Sequence, residues 1–438
     1  NGAVNKGLLC GKGKWGFDCS VLEGKLTKPL IKDGDKFREC SYDEAIVLVA
    51  KKAESIATKY GKDSVAVSIS DRFTNEEASV IKKLADAMGA KTLCFNHVES
   101  GLKKVLGVDK SPNTMDELLS TNVILVFGYI MEKNPVVQLK LKQAAENGAK
   151  IYVINPVGVE VVNFDFAEKV IYTGNNLDAL KEIAKYLVDE KDNLSLTNLL
   201  ELKKSLENVF VSDEIKEVAS AYNNAKKAMI VFQENVLSVD AATMIGNIAL
   251  VSNHIGAPRD GIVQIKGKNN SQGLVDMGID KGIEEMANVK ALLCFGEDPC
   301  VLGDDILDNL EFVMTVDTHM TDTCKNSNVV LPGSGPMSVE GTYTNTDGRV
   351  QFVNKVIDEN IEFNNEELAR KIASVYEVDL YKVVTKAPLK ENVVESLVVV
   401  GDNVVVDVHK CCDNLMNVID NRLPKQAKQS EKVSLAEA

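Results

Sequence analysis

Short apolar runs that alternate with segments of helical spacing recur along the chain, and they constrain its fold more than any other feature. Six of these runs are Val65–Ile69, Val123–Phe127, Ile151–Ile154, Met229–Phe232, Ala291–Phe295 and Phe312–Val316. Continuous apolar strands are typical of parallel sheets that are covered by helices on both faces. The pattern therefore predicts an α/β fold with doubly wound sheets, in which ligands bind at the carboxyl ends of the strands.

Length and charge narrow the class of protein. The chain has 438 residues, of which 45% are hydrophobic, and this is enough for two or more lobes. Lys and Arg number 50 against 64 Asp and Glu, so the net charge is −14. We therefore expect no nucleic-acid partner, because phosphates need a basic surface. The absence of long apolar runs predicts no membrane span. We expect a cytoplasmic protein whose first residue, Asn1, is a cut end inside a longer chain.

Nine cysteines are scattered along the chain: Cys10, Cys19, Cys40, Cys94, Cys294, Cys300, Cys324, Cys411 and Cys412. Their odd number and irregular spacing do not match a secreted disulfide framework. With no C-x-x-C pair present, we expect no complete cluster site within this chain, and most of the thiols should be buried. The role of the vicinal pair Cys411-Cys412 stays open.

Two stretches depart from the strand–helix pattern. Leu180–Tyr222 is rich in Lys, Glu and Leu at helical spacing, and we interpret it as a peripheral helical excursion. Near the end of the chain, Leu397–Val400 and Val404–Val408 flank a Gly-Asp-Asn turn and predict one hairpin before a polar tail.

The turns between these segments contain several specific motifs. Cys10 lies between glycines, which leave room for a thiolate to bind a metal, although an incidental cysteine in a glycine-rich loop explains the same residues. Lys266–Gly278 (KGKNNSQGLVDMG) combines glycines and amides that let the backbone approach a pyrophosphate. Further motifs follow at Gly296–Pro299 (GEDP), Asp317–Thr323 (DTHMTDT) and Glu340–Gln351 (EGTYTNTDGRVQ).

Taken in order, these motifs resemble those of the molybdopterin oxidoreductases, in particular formate dehydrogenase alpha chains and the G subunit of NADH dehydrogenases. The resemblance implies two Rossmann-like lobes and the end of an N-terminal [4Fe–4S] domain. By this resemblance, residues 1–40 end the [4Fe–4S] domain, 41–95 with 287–376 form the first lobe, and 96–286 form an inserted second lobe. Residues 377–438 form a short tail in place of the family's dinucleotide-binding cap domain.

The same resemblance implies roles for individual residues. Cys10 matches the fourth ligand of the [4Fe–4S] cluster, whose other three ligands would precede Asn1, and Lys12 matches a lysine on the electron path between cluster and pterin. The residues implied to contact a molybdopterin guanine dinucleotide are Gly128, Asn134, Asn155, Asp178, Lys266, Gly267, Asn269, Asn270, Gly273, Asp276, Gly296, Asp317, Thr344, Asn345 and Arg349. For Arg349, a salt bridge remains the alternative.

The position of the molybdenum or tungsten ligand is ambiguous. Alignment from one side places Cys94 there and from the other side Ser100, and Phe95 stands where the family has a histidine after its ligand. A structural role for Cys94 is the alternative. We therefore predict an iron–sulfur oxidoreductase subunit with a degenerate molybdenum site. It would carry electrons to other Fe–S or flavin subunits, NADH- or ferredoxin-linked. The alternatives are a fragment of an active formate dehydrogenase and a non-catalytic scaffold.

Overall fold

The protein is described from a computed structural model. The described residues are 4–16, 24–128, 134–158, 161, 164–191, 196, 198–303, 305–376 and 380. The hairpin predicted within Leu397–Val408 and the pair Cys411-Cys412 lie outside them. The strands are β1 (Leu30–Asp33), β2 (Lys36–Glu39), β3 (Val65–Ile69), β4 (Lys91–Leu93), β5 (Val123–Phe127), β6 (Lys150–Pro156), β7 (Lys169–Thr173), β8 (Ala228–Gln233), β9 (Gly261–Ile265), β10 (Ala291–Phe295), β11 (Phe312–Asp317), β12 (Val329–Pro332), β13 (Gly341–Thr344) and β14 (Val350–Val353).

Helices connect these strands. They are α1 (Gly11–Trp15), α2 (Tyr42–Tyr60), α3 (Asn75–Met88), α4 (Gly101–Leu106), α5 (Pro135–Glu146), α6 (Asn176–Glu190), α7 (Leu199–Ser205), α8 (Asp213–Asn223), α9 (Val239–Ser252), α10 (Ser271–Asp276), α11 (Asp322–Asn326) and α12 (Asn365–Val375). None of the described helices is long and apolar enough to cross a membrane.

Two sheets organise the chain. The first has the strand order β2-β1-β12-β11-β10-β3-β4, and from β12 to β4 its neighbouring strands are parallel. The second, β7-β6-β5-β8-β9, is parallel throughout. Apolar residues are buried on both faces of each sheet, so the predicted α/β class with parallel sheets is confirmed.

The first sheet draws its strands from both ends of the chain and the second from the middle. The hairpin β1–β2 closes one edge of the first sheet, where β1 pairs antiparallel with β12. The segment predicted to end the [4Fe–4S] domain therefore contributes strands to this sheet, and the domain borders stay a prediction.

Helix α3 shows how local sequence sets these elements. Thr74 caps its first turn by accepting a hydrogen bond from the Glu77 amide, and the Glu77 carboxylate accepts one from the Thr74 amide at 2.9 Å. Gly89 ends the helix in a left-handed conformation with φ +65°. This reciprocal cap fixes the helix start directly beyond the carboxyl end of β3.

The described residues of the stretch Leu180–Tyr222 contain helices α6, α7 and α8, as predicted, but α6 is not peripheral. Helix α6 packs against α9, and its apolar residues at spacings of three and four, such as Leu180, Ile183 and Leu187, are fully buried. This spacing puts one complete face of α6 into the core of the second sheet's helical layer.

Candidate functional site

The carboxyl ends of strands from both sheets meet at one edge. Asp71 follows β3, Glu297 follows β10, and Lys266 follows β9. The two lobes are joined here because the Asn270 amide, just after β9, donates to the carbonyl of Asp71 at 3.0 Å. Ligand sites of doubly wound folds are found at such strand ends. We name this region the strand-end site.

Cys94 lies inside the strand-end site as a buried thiol. It follows β4 with 2% of its surface exposed and contributes to the core of the first lobe. Its Sγ lies 3.5 Å from Oε1 of Glu297, which also accepts from the Phe95 amide at 2.9 Å. Burial, with the neighbouring Glu297 and Asp71, raises the pKa of the Cys94 thiol well above its usual range. The thiol is therefore neutral at physiological pH.

Glu297 is itself neutral at physiological pH. Burial, reinforced by Asp71, raises the pKa of Glu297 to about 8. Its Oε2 is buried without a hydrogen-bond partner, and the Cys94 thiol and the Phe95 amide, which both bond to Oε1, only partly offset the effect of burial on the pKa of Glu297. A protonated carboxyl in this place is less costly than a charged one.

Asp71 lies near Glu297 and is bonded to polar side chains. Its carboxylate accepts from Asn96 Nδ2 at 3.1 Å and from the Ser271 hydroxyl at 2.6 Å. Burial raises the pKa of Asp71, although both hydrogen bonds and the cations of Lys268 and Arg72 oppose this shift. Asp71 thus links the loop after β4 to helix α10.

Lys266 is enclosed by carboxylates. Its Nζ donates to Glu234 Oε1 at 2.8 Å and to Asp109 Oδ1, and Gln264 Nε2 donates to the same two oxygens at 2.7 and 3.2 Å. The side chains of Lys266, Asp109 and Glu234 are 2%, 2% and 9% exposed. We call Lys266, Gln264, Asp109 and Glu234 the Lys266 cluster.

The charges of the Lys266 cluster influence one another. Burial alone would lower the pKa of Lys266, but Asp109 and Glu234 outweigh it and raise that pKa. Burial raises the pKa of Glu234 to about 7, against the opposing effect of Lys266. The single ammonium can neutralise only one of the two carboxylates. Glu234 therefore holds its proton more tightly than usual.

The loop after Lys266 is partly structural. Asn270 is fully buried, its Nδ2 donates to the Phe73 carbonyl at 2.8 Å, and its Oδ1 accepts from the Thr344 amide at 2.8 Å. A Cβ at Gly273 would lie 2.2 Å from Oδ1 of both Asn270 and Asn75. These residues hold β3, α10 and β13 together.

Other predicted residues of this loop face outward or pair with neighbours. Gly267 and Asn269 are exposed on the rim of the strand-end site. Asp276 accepts from Gln272 Nε2 at 2.9 Å and forms an ion pair with Lys110 at 2.8 Å. The exposed backbone is therefore the part of the loop that is open to a ligand.

The hairpin β13–β14 carries three predicted residues. Thr344 is buried, and its Oγ1 accepts from Asn75 Nδ2 at 3.1 Å. Asn345 Oδ1 accepts from the amides of Asp347 and Arg349 at 3.0 Å each, which shapes the turn. Arg349 is half-buried and helps to lower the pKa of Asp347, which burial raises to about 6.

The strand ends of the second sheet hold a second group of predicted residues. Gly128 follows β5 with φ +86°, and Asn134 precedes α5. Asn155, in β6, is buried with its Oδ1 unpaired, as is Oδ1 of Asn176 at the start of α6. Asp178 instead points outward and accepts from Asn175 Nδ2 at 2.6 Å. The unpaired amide oxygens can accept hydrogen bonds from a polar ligand.

The remaining predicted residues are distributed over the first lobe and its N-terminal segment. Gly296 turns with φ +69°, and a Cβ there would meet Phe73 at 2.4 Å. Asp317 accepts from the Thr318 amide at 2.6 Å, and burial raises its pKa. Cys10 is partly exposed just before α1, and its Sγ accepts from the Gly13 amide at 3.4 Å. The side chain of Lys12 lies outside what is described.

The sequence analysis missed the acids of this site. Asp71, Asp109, Glu234 and Glu297 were not among the predicted site residues. Asp71, Glu234 and Glu297 each lie within two residues of the end of a strand, so their position after a predicted strand was an available signal. Asp109 has no such signal, because only the tertiary fold brings it to Lys266.

The side chains differ in how they fit the implied groups. Cys94 does not fit a molybdenum or tungsten ligand, because a metal binds the thiolate and this thiol is buried, neutral and next to carboxyl groups. Among the described residues, no cluster of three or more His, Cys, Asp or Glu side chains could hold a metal ion. The unpaired Asn155 and Asn176 oxygens can accept hydrogen bonds from the N–H or O–H groups of a nucleotide base or ribose.

Comparison with known proteins identifies a family that is consistent with the observed fold. The sequence model of the molybdopterin oxidoreductase family matches residues 25–365. The chain belongs to the molybdopterin oxidoreductase family. It is similar to the F420-dependent formate dehydrogenase 2 subunit alpha of Methanococcus maripaludis, with 28% identity over 81% of this chain and 62% of that protein. Formate dehydrogenase H of Escherichia coli is 26% identical, with 82% of this chain and 61% of that protein covered. The chain thus spans less than two thirds of these relatives.

Two solved structures share the fold. Acetylene hydratase from Pelobacter acetylenicus superposes with a TM-score of 0.67 at 17% identity, covering 84% of this chain and 64% of that one. A chain of the formyltransferase/hydrolase complex from Methylorubrum extorquens superposes with a TM-score of 0.56 at 12% identity, covering 80% and 98%. At these identities the likeness concerns the fold alone.

Proposed function

We propose that this chain is an electron-carrying subunit of a larger iron–sulfur oxidoreductase, in which the molybdopterin fold is kept as a scaffold and no molybdenum or tungsten is bound through Cys94. The buried, neutral Cys94 thiol beside Glu297 is the observation that carries this proposal. Its oxidoreductase character rests on family membership and on the formate dehydrogenases among its relatives.

The environment of Cys94 opposes metal binding on two grounds. Removing the thiol proton would leave a charge in the core of the first lobe, with 2% of the residue exposed. The nearest ionisable groups, Glu297 and Asp71, are acids, so they disfavour a thiolate further. A ligand position needs the opposite environment, with cations or free amides around the sulfur.

Cys10 is the residue that we assign to the [4Fe–4S] cluster. It is partly exposed, and its sulfur already accepts an amide hydrogen bond from Gly13, as cluster thiolates do. When bound, such a cluster supplies one-electron transfer. A pterin nucleotide would be held at the second sheet's strand ends by Asn155 and Asn176, with Gly128 leaving room at the turn.

Metal analysis of the purified full-length protein tests the proposal. We expect iron without molybdenum or tungsten, unchanged in Cys94→Ser and strongly reduced in Cys10→Ser. Stoichiometric molybdenum or tungsten that is lost in Cys94→Ser would overturn it. A protein with no iron would favour the non-catalytic scaffold.

The alternative is an active formate dehydrogenase, and the names of the similar proteins favour it. Formate-dependent reduction of an electron acceptor by the full-length protein, abolished by Cys94→Ser, would support that alternative. The other subunits proposed as partners, Fe–S or flavin proteins that are NADH- or ferredoxin-linked, would appear on co-purification.

A further inference from the structure

A buried lysine at the strand ends would ordinarily attract small anions, but the Lys266 cluster gives this lysine another role. Lys266 follows β9 directly, its side chain is 2% exposed, and the exposed residues Gly267 to Asn269 come next on the rim of the strand-end site. The accessibility of the Lys266 ammonium to a ligand depends on what its N–H groups already bind.

We infer that Asp109 and Glu234 determine the ligand class of the strand-end site, because they hold Lys266 inward and exclude small monoanions such as formate or nitrate from it. The inference deepens the proposed function and rests on it, since it explains why this site would not take an anionic substrate. It makes Asp109 and Glu234 specificity-determining residues.

The geometry supports this inference. Two N–H groups of Lys266 are directed at carboxylate oxygens, one of them at 2.8 Å, and Gln264 fixes both oxygens from its own amide. The backbone of Gln264 is held in turn by the Ser111 hydroxyl at 3.2 Å. The acids cannot rotate away without breaking these bonds, and the Lys266 side chain is 2% exposed, so an anion could reach either of these two N–H groups only by displacing a carboxylate.

The charges of the Lys266 cluster also support the inference. Two carboxyl groups surround one ammonium, so the cluster is neutral or carries one negative charge, depending on the proton of Glu234. An approaching anion gains no attraction from a neutral cluster and is repelled by a negative one. The neighbouring ions do not change this result, since Lys103 pairs with Asp280 at 2.9 Å and Lys110 with Asp276 at 2.8 Å.

Two further cations, Lys268 and Arg72, are exposed on the rim near Asp71. They can attract anions weakly and without involving Lys266. An experiment on this inference must therefore separate binding that depends on Lys266 from binding that does not.

The test uses formate and nitrate as probes and isothermal titration calorimetry on the full-length protein. The double variant Asp109→Asn/Glu234→Gln keeps a neutral amide oxygen beside Lys266 at each position and removes both negative charges, which leaves the ammonium without a counter-ion. Its matched control adds Lys266→Met to the same two changes. We expect the double variant to bind formate at least about tenfold more tightly than the wild type. The triple variant should return to the wild-type level.

Two results would overturn the inference. One is formate binding by the wild type that disappears in a Lys266→Met variant shown by circular dichroism to be folded, since Lys266 would then already be open. The other is a folded double variant that binds no more tightly than the wild type. If the double variant does not fold, Glu234→Gln alone, with Glu234→Gln/Lys266→Met as control, gives the same comparison. Metal content reports on the proposed function separately, so the two can fail independently.

Discussion

The Cys94 thiol and the Glu297 carboxyl group lie 3.5 Å apart, and both are neutral at physiological pH. Burial raises the pKa of both groups, and Glu297 raises that of Cys94 further, although the hydrogen bond from the thiol acts to lower the pKa of Glu297. Cys94, the position that the family resemblance assigns to a metal ligand, is therefore part of the packed core of the first lobe. Several expectations about stability and reactivity can be tested directly.

Glu297→Gln should change the pH dependence of stability. The pKa of Glu297 is raised from 4.5 to about 8 in the folded protein, so the unfolded chain loses this proton first as pH rises. The contribution of Glu297 to stability therefore falls between pH 4.5 and 8, by up to roughly 1.4 kcal/mol per pH unit. Urea unfolding at pH 5, 6.5 and 8 should show the variant gaining on the wild type. Glu340→Gln, at an exposed position, is the matched control.

Cys94 should resist alkylation in the folded protein. Its sulfur is buried and its pKa is raised, whereas Cys10 is partly exposed. In protein freed of its iron–sulfur cluster, labelling with iodoacetamide, followed by peptide mass spectrometry, should modify Cys10 at least about a hundredfold faster than Cys94. Comparable rates would show that Cys94 is accessible and would remove the basis of the proposed function.

Asn270→Ala should destabilise the protein by about 2–4 kcal/mol. The change removes two side-chain hydrogen bonds of 2.8 Å and leaves the Phe73 carbonyl and the Thr344 amide unpaired in the interior. Its neighbour Asn269 is exposed, so Asn269→Ala should change the free energy of unfolding by less than about 0.5 kcal/mol. Chemical denaturation of both variants measures the difference.

Gly273→Ala should also be destabilising, by about 1–3 kcal/mol, because the added methyl group would overlap Oδ1 of Asn270 and Asn75. Gly267→Ala is the matched control, since the nearest atom to its Cβ is Ser271 Oγ at 4.0 Å. Equal thermal unfolding midpoints for the two variants would contradict the close packing of α10 on α3.

Lys266→Met should cost about 3–5 kcal/mol of stability, because it leaves two buried carboxyl groups without their cation. Lys268 is exposed, and Lys268→Met should stay within about 0.5 kcal/mol of the wild type. Denaturant unfolding at pH 7 measures the free energies of unfolding of both variants. A tolerated Lys266→Met would mean that the ammonium does not hold the cluster together.

The sequence predicted those elements whose signal is local. The bounds of β3, β5 and β10 agree with the predicted apolar runs, because central parallel strands are apolar throughout. The short strands β1, β2 and β14 have mostly half-buried or exposed residues, and this pattern gives no comparable signal. At the site, Lys266 was predicted but its partners were not. Asp109 lies 157 residues away along the chain and Glu234 lies 32 away, so only the fold reveals the cluster.

The arrangement of strands in the first sheet has a consequence for synthesis on the ribosome. Strands β3 and β4 are made early, but β10, which pairs with β3, is translated only after every strand of the second sheet has been made. The second sheet can therefore form while β3 still lacks one of its pairing partners. Until β10 has been translated, the nascent chain exposes an apolar strand edge. Such an edge is prone to aggregation, and chaperones protect surfaces of this kind.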